Sequence, residues 1–279
     1  MLRALCLSVT MVFSAGIAGA QALSDLAPRT QTMLQSIGVS ESLDIMRDAG
    51  RRDAAGLEEQ LFPDRSNTGW SAFVDRLYAP GTLESVFVAD FPEDRLTREN
   101  TAAIVAFFDS ALGRRIIDGE LTAWRAMLDP DVEEAAYEIY DQHRADGDPR
   151  LDLLEEFTSV NGFIDYNVMG SLNSNYAFLS GLSEGGAYPR PVPESELLAQ
   201  VWQQEPTLRE DTVRWLYSFQ LMAYSGLSDD DLSAYIAFCE TSAGQLYNQV
   251  LFQGYDAVFT AMSGRLGQAA AMFMTGEAL

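Results

Sequence analysis

The sequence predicts an all-α protein, a helical bundle built from two tandem helical repeats. Three observations predict it. Residues 96–113 read LTRENTAAIVAFFDSALG, and residues 227–244 read LSDDDLSAYIAFCETSAG. Five of the eighteen aligned positions are identical: Leu96/Leu227, Ala103/Ala234, Ala106/Ala237, Phe107/Phe238 and Gly113/Gly244. Five more keep their chemical type: Thr97/Ser228, Glu99/Asp230, Val105/Ile236, Asp109/Glu240 and Ser110/Thr241. Ordinary composition yields roughly one identity by chance. Second, apolar residues recur at helical spacing, with Ile104, Phe107, Phe108 and Ala111 in one copy and Leu232, Tyr235, Ile236 and Cys239 in the other. Third, alternating strand patterns bounded by turns occur nowhere in the chain.

Both copies open on a hydroxyl residue followed by acids. The side-chain oxygen of Thr97 or Ser228 can accept from an orphan backbone N–H, and the acids favour the positive end of the helix dipole. Ala103, Ala106, Ser110 and Gly113, like Ala234, Ala237, Thr241 and Gly244, fall at i, i+3, i+7 and i+10. That spacing predicts one helical face with almost no side-chain bulk. A glycine inside a helix costs about 1 kcal/mol against alanine. Gly113 and Gly244 therefore predict a second helix crossing close by, at the low end of the usual ~8–10 Å range, with Phe107 and Phe238 anchoring it.

In chain order, residues 24–62 read as helix, with Ser40 as a cap and Leu43, Ile45, Met46, Leu57 and Leu61 facing inward. Residues 63–69 read as a turn. Trp70, Phe73, Val74, Leu77 and Tyr78 form an amphipathic stripe ended by Pro80-Gly81, and a short helix follows over 82–91 until Pro92 stops it. The repeat helix is expected to run on to Leu128, with Leu121 and Trp124 inward. Asp129-Pro130 then serves as cap and first helical residue. The stretch from Ala145 to Pro149 is the junction, and a helix over 150–169 carries Leu153, Phe157, Val160 and Phe163. Residues 170–186 are rich in Gly, Ser and Asn and carry the aromatics Tyr176 and Phe178, and 183–192 read as a Gly/Pro loop. Thr207 and Glu210 form a capping box for a helix bearing Trp215, Leu216 and Phe219. Residues 70–91 and 213–224 then play equivalent parts ahead of each repeat helix. The organisation is a signal peptide over 1–20, a first repeat over 21–145 and a second over 146–279, packed as one globular unit.

The run from Phe107 to Arg115 resembles the core F-Y-x-(S/T)-x-x-G-(K/R)-(K/R) of an exported bacterial helical family, domain of unknown function 2059. Phe238 to Gln245 resembles the same core, departing from it with Cys239 at the aromatic position and Gln245-Leu246 in place of the basic pair. The resemblance covers about thirty residues in each copy and implies a helical fold and export. It implies no activity, because none is established for that family.

The N-terminus carries Arg3, an apolar run over 4–15 and Ala18-Gly19-Ala20 before Gln21. One early charge, a short apolar core and an A-x-A site describe a secretory signal cleaved after Ala20, and hence a periplasmic protein. Residues 257–274 are the other apolar stretch, interrupted by Arg265 and two glycines, so no membrane span is expected. Residues 21–279 hold 17 arginines, no lysine and 41 acids. Such a charge repels nucleic acid and anionic lipid and keeps the protein soluble.

Catalytic constellations are thin. Cys239, the single cysteine after residue 20, has no cation at helical spacing and reads as a small buried hydrophobe. His143, the lone histidine, lies near Asp141 and Glu138, but zinc would need an unusual carboxylate-rich ligand set. Glu134 and Glu138 share a helix face, as a glycan-cleaving pair would. They read instead as solvated surface, as do Glu133, Asp152, Glu155 and Glu156, while Asp229 to Asp231 serve a helix start. Asp146-Gly147-Asp148 lacks the remaining ligands of a calcium loop. Asn161, Asp165, Tyr166, Asn167, Asn173, Asn175 and Tyr176 form the densest polar-aromatic patch, read as caps and turns with a groove between the halves as the rival. The expectation is a non-catalytic periplasmic protein without cofactor or metal, binding an unknown protein or small molecule or supporting the envelope. The alternative is a carboxylate-based hydrolase acting on envelope glycan. No catalytic, cofactor-binding or metal residue is assigned.

Overall fold

A computed structural model describes residues 22–61 and 68–276. Among them are thirteen α-helices, two 3-10 turns (Leu23–Asp25 and Glu93–Arg95) and no strand, as the apolar spacing predicts. The expected signal peptide lies outside the described residues.

Helix α1 is Pro28–Ser36, with Pro28 in its first turn, and α2 is Val39–Leu61. Gly38 adopts φ 67° between them, a left-handed corner that glycine makes without steric cost. The single helix expected over 24–62 is thus two, and Ser40 lies inside α2. Helix α3 is Thr68–Leu77 and α4 is Thr82–Asp90. The expected turn over 63–69 falls mostly outside the described residues, and Thr68 and Gly69 already belong to α3.

The repeated stretch is not one helix. Helix α5, Arg98–Phe108, ends at Asp109, and α6, Ala111–Ala126, starts after Ser110. The second copy does the same, with α12 over Asp229–Glu240 and α13 over Ser242–Thr275. All four helix starts are capped by the expected type of residue. Thr97 accepts from Asn100 N–H (3.1 Å), Ser228 from Asp231 N–H (3.1 Å), Ser110 from Gly113 N–H (3.0 Å) and Thr241 from Gly244 N–H (3.0 Å). Serine and threonine compete with the helix for backbone donors, and here the competition ends α5 and α12.

Gly113 and Gly244 lie just inside the new helices, and the backbone close to them is that of the preceding helix. A Cβ on Gly113 would lie 2.3 Å from the Phe107 carbonyl oxygen, and one on Gly244 2.2 Å from that of Phe238. The low-bulk face is therefore a corner, not a crossing by a separate helix. Phe107 and Phe238 do meet, stacked 3.9 Å apart at 6°. Gly113→Ala and Gly244→Ala are each expected to destabilise by about 1–3 kcal/mol despite alanine's better helix propensity. Gly56→Ala, with nothing within 4 Å of the new methyl, should stabilise by about 0.5–1 kcal/mol. Urea unfolding checks this, and three equal stabilisations would refute the corner.

Helix α7, Pro130–Asp146, is capped by Asp129, which accepts from Asp131 N–H at 3.0 Å. Gly147 turns the chain into α8, Arg150–Asn161, and Gly162 (φ 65°) turns it again into α9, Phe163–Glu184. The helix expected to reach residue 169 thus breaks earlier, and the patch from Asn161 to Tyr176, read as caps and turns, lies in α8 and in α9, which is helical as far as Glu184. Tertiary packing explains the reversal. A Cβ on Gly181 would lie 2.3 Å from the Gly264 carbonyl oxygen, and one on Gly267 2.1 Å from that of Phe178. Helices α9 and α13 meet backbone to backbone, which offsets the intrinsic cost of glycine.

Helix α10 is Glu194–Trp202, and α11 is Glu205–Ala223 with Pro206 in its first turn. The expected capping box fails because Thr207 is already inside α11. The proposed equivalents 70–91 and 213–224 also differ, being α3 plus α4 in one case and part of α11 in the other. One apolar core joins Trp70, Phe87 and Phe108 to Leu154, Phe157, Leu232 and Tyr235, drawing on both sides of residue 145. Among the described residues no helix is long and apolar enough to cross a membrane.

Candidate functional site

Helices α6, α9, α11 and α13 do not close on one another completely. Between them lies a cavity of about 760 Å³, walled mainly by rings and aliphatic side chains. Its size falls within the usual range of small-molecule sites, about 300–1,000 Å³. Helix α6 brings Ile117, Glu120, Leu121 and Trp124 to one wall. Helix α11 supplies Trp215 and Phe219, whose rings stack at 5.3 Å and 4°. Tyr166 of α9 stacks on Phe252 of α13 at 4.5 Å and 14°, and both also line the cavity.

Glu120 is the chemical centre. It sits beside Gly119, whose added Cβ would lie 2.3 Å from the Ala223 carbonyl oxygen, so α6 and α11 approach closely just there. Tyr224 Oη donates to Glu120 Oε1 at 2.7 Å, and Tyr235 Oη donates to the same oxygen at 3.3 Å. Glu120 is half-buried, and it lines the cavity. Burial raises its carboxyl to about 7, against the opposing pull of the two tyrosine hydrogen bonds. The same burial holds the Tyr224, Tyr235 and Tyr247 hydroxyls well above their ordinary range, and the neighbouring Glu120 charge adds to it. Asp256 of α13 is half-buried farther along the wall, accepts from Asn173 Nδ2 (3.2 Å) and is raised by burial. Buried Gln220, which also lines the cavity, donates to Thr158 Oγ1 at 3.0 Å and is held in place by it.

Sequence reasoning missed Glu120. The signal was present: Ile116, Ile117, Glu120, Leu121 and Trp124 share one helical stripe, and an acid in an apolar stripe is the informative exception.

The other candidates fall elsewhere. His143 Nδ1 lies 2.6 Å from Asp148 Oδ2 at the α7–α8 corner, not on Asp141 or Glu138. Asp148 also accepts from Arg150 N–H, and this bond, with His143, holds its carboxyl below the ordinary range. Asp141 pairs with Arg214 (2.8 Å), and Glu133 accepts from Tyr137 Oη (3.0 Å). Glu134, Glu138, Asp152, Glu155 and Glu156 are exposed. Asp229 pairs with Arg150, while Asp231 closes the cap on Ser228 and pairs with Arg115 (2.8 Å). Among the described residues no cluster of three or more His, Cys, Asp or Glu is placed to hold a metal ion.

The polar-aromatic patch divides. Tyr166, Asn167 and Asn175 line the cavity, the two amides donating to Phe163 O (2.7 Å) and Gln204 Oε1 (2.9 Å). Asn161 is buried and donates to Phe157 O (2.8 Å), Asp165 pairs with Arg209 (2.9 Å), and Tyr176 packs on Val168, Leu172 and Val201. Cys239 is buried in the core like its counterpart Phe108, and burial pushes its thiol to about 12. A soluble maleimide is therefore expected to leave Cys239 unmodified in the folded protein and to modify it after unfolding. Peptide mass mapping checks this, and labelling at native rates near those of a free thiol would contradict the burial. Comparison with protein-family models, with curated proteins and with solved structures returned no match to this chain.

Proposed function

We propose that this chain is an exported, non-catalytic periplasmic protein that binds a small, largely apolar molecule in the cavity between α6, α9, α11 and α13. One observation carries the reading: a cavity of about 760 Å³ whose wall is mostly rings and aliphatic groups, with the desolvated carboxyl of Glu120 on it. Concave, apolar sites with a few fixed polar groups are the usual form of small-molecule sites. Export after Ala20 and kinship with domain of unknown function 2059 belong to the same proposal, supported by residues 1–20 and by Phe107 to Arg115. So does the tandem duplication, supported by the like-capped corners at Ser110 and Thr241.

The test is saturable binding of the neutral dye N-phenyl-1-naphthylamine, read by its fluorescence. One site per chain is expected, lost in Ser174→Trp, which fills the cavity from α9, while the variant's thermal unfolding stays cooperative. Failure of the unaltered protein to bind any such neutral apolar probe overturns the reading.

A second reading, a carboxylate-based hydrolase of envelope glycan, has one observation in its favour. A carboxyl raised to about 7 by burial suits a general acid, and a second carboxyl, Asp256, lines the same cavity. It requires turnover of an aryl glycoside that Glu120→Gln abolishes.

A further inference from the structure

The cavity wall is one-sided in charge. Three acids reach it, Glu120, Asp211 and Asp256, together with twelve aromatic side chains, and among the described residues no arginine or histidine lines it. The nearby cations are engaged elsewhere. Arg214 lies 4.4 Å over the Tyr137 ring and pairs with Asp141, and Arg209 pairs with Asp165 and Glu205. Both tyrosine hydroxyls on Glu120 donate to Oε1, and Oε2 has no partner among the described residues.

We propose that the cavity takes a lipophilic organic cation, its ammonium group beside Glu120 and the rings of Tyr224, Tyr235 and Tyr247, its apolar body along Trp215, Phe219 and Phe252. This rests on the small-molecule reading above and deepens it. Aromatic faces attract a cation through their quadrupole, and the attraction grows where water is excluded. An ionised Glu120 without a counter-charge is costly in such surroundings, so an ammonium beside it gains what a neutral ligand cannot. An anion would meet three acids and no base. A net charge of −23 also concentrates cations near the protein.

The preference carries a pH signature. The groups facing Glu120 are Tyr224 at the end of α11, Tyr235 and Cys239 from α12, and Tyr247 and Tyr255 from α13. All are held neutral through pH 8 by burial, which leaves the carboxyls of the cavity to titrate, Glu120 and, also raised by burial, Asp256 of α13; Glu120→Gln separates the two. Cation affinity rises with pH as Glu120 ionises, and the affinity of a neutral ligand does not.

The experiment compares three probes of one chain length, decyltrimethylammonium, decanol and decanoate, each below its micelle concentration, on the folded protein. At pH 8 the cation is expected to bind at least about tenfold tighter than decanol, with decanoate weakest. At pH 5 the advantage shrinks to about threefold or less. Glu120→Gln removes the advantage at pH 8 and leaves decanol within about twofold. Calorimetry in buffers of different ionisation heat gives an independent reading on the unaltered protein: at pH 6 the cation releases a proton and decanol does not. Decanoate binding as tightly as the cation, or a cation advantage intact in Glu120→Gln, overturns the inference. Decanol binding with no cation advantage overturns it while leaving the small-molecule reading standing; no binding by any probe overturns both.

Discussion

Phe157→Ala is expected to lower stability by about 3–5 kcal/mol, the usual cost of truncating a buried phenylalanine where the surroundings cannot collapse. Phe157 is fully buried in α8 and touches three rings: Phe163 at 5.2 Å, Tyr224 at 5.5 Å and Tyr235 at 4.8 Å. The last two are the side chains that hold Glu120, so the cavity left behind loosens the floor of the site as well as the core. Phe259→Ala removes the same atoms from a cavity-lining ring that is 46% exposed and should cost under about 1 kcal/mol. Urea unfolding at matched m-values checks the pair. Equal costs would mean that Phe157 is not an anchor.

Glu120→Gln is expected to change the pH dependence of stability more than any other single substitution. The folded carboxyl titrates near 7 and the unfolded one near its ordinary 4.5. Between those values the folded state holds the extra proton, so the contribution is fully present below about pH 4.5 and is lost as pH rises through 7. The loss is on the order of 3 kcal/mol for a shift of this size. Glutamine keeps an oxygen that can accept from Tyr224 and Tyr235 but does not ionise, so the variant's profile should flatten and lie above that of the unaltered protein at pH 8. Asp256, also raised by burial, accounts for any remaining slope of the same sign. Asp148 and Asp231, held low by hydrogen bonds, act in the opposite sense at more acid pH. Parallel profiles for the two proteins from pH 5 to 8 would show that Glu120 is not desolvated.

The site was partly legible before any fold was known. The sequence groups Tyr166, Asn167 and Asn175 in its densest polar-aromatic patch, which reads as caps and turns rather than as a groove, and these three line the cavity. Their companions Asn161, Asp165 and Tyr176 were not separable from them, since which face of α9 points inward depends on where the helix begins. That start is Gly162, not the junction upstream. Glu120 left its trace in a single stripe on α6, but its chemistry comes from burial, and the groups that hold it, Tyr224 and Tyr235, lie more than a hundred residues away in sequence.

What the chain determined locally is its helical nature and its caps. Period 3.6 in the apolar residues, hydroxyls at Thr97 and Ser228, and Asp129 before Pro130 each act within one or two turns, where backbone hydrogen bonding and dihedral preference decide. What only the tertiary structure decided are the outcomes in which two local tendencies compete or distant groups meet. Ser110 and Thr241 end one helix and begin another because Gly113 and Gly244 let the backbone fold tightly there. The glycines of α9 stay helical because α13 lies against them. The cavity and its desolvated acid exist because helices from both sides of residue 145 leave space where their side chains do not fill it, a property of packing that no single stretch of sequence contains.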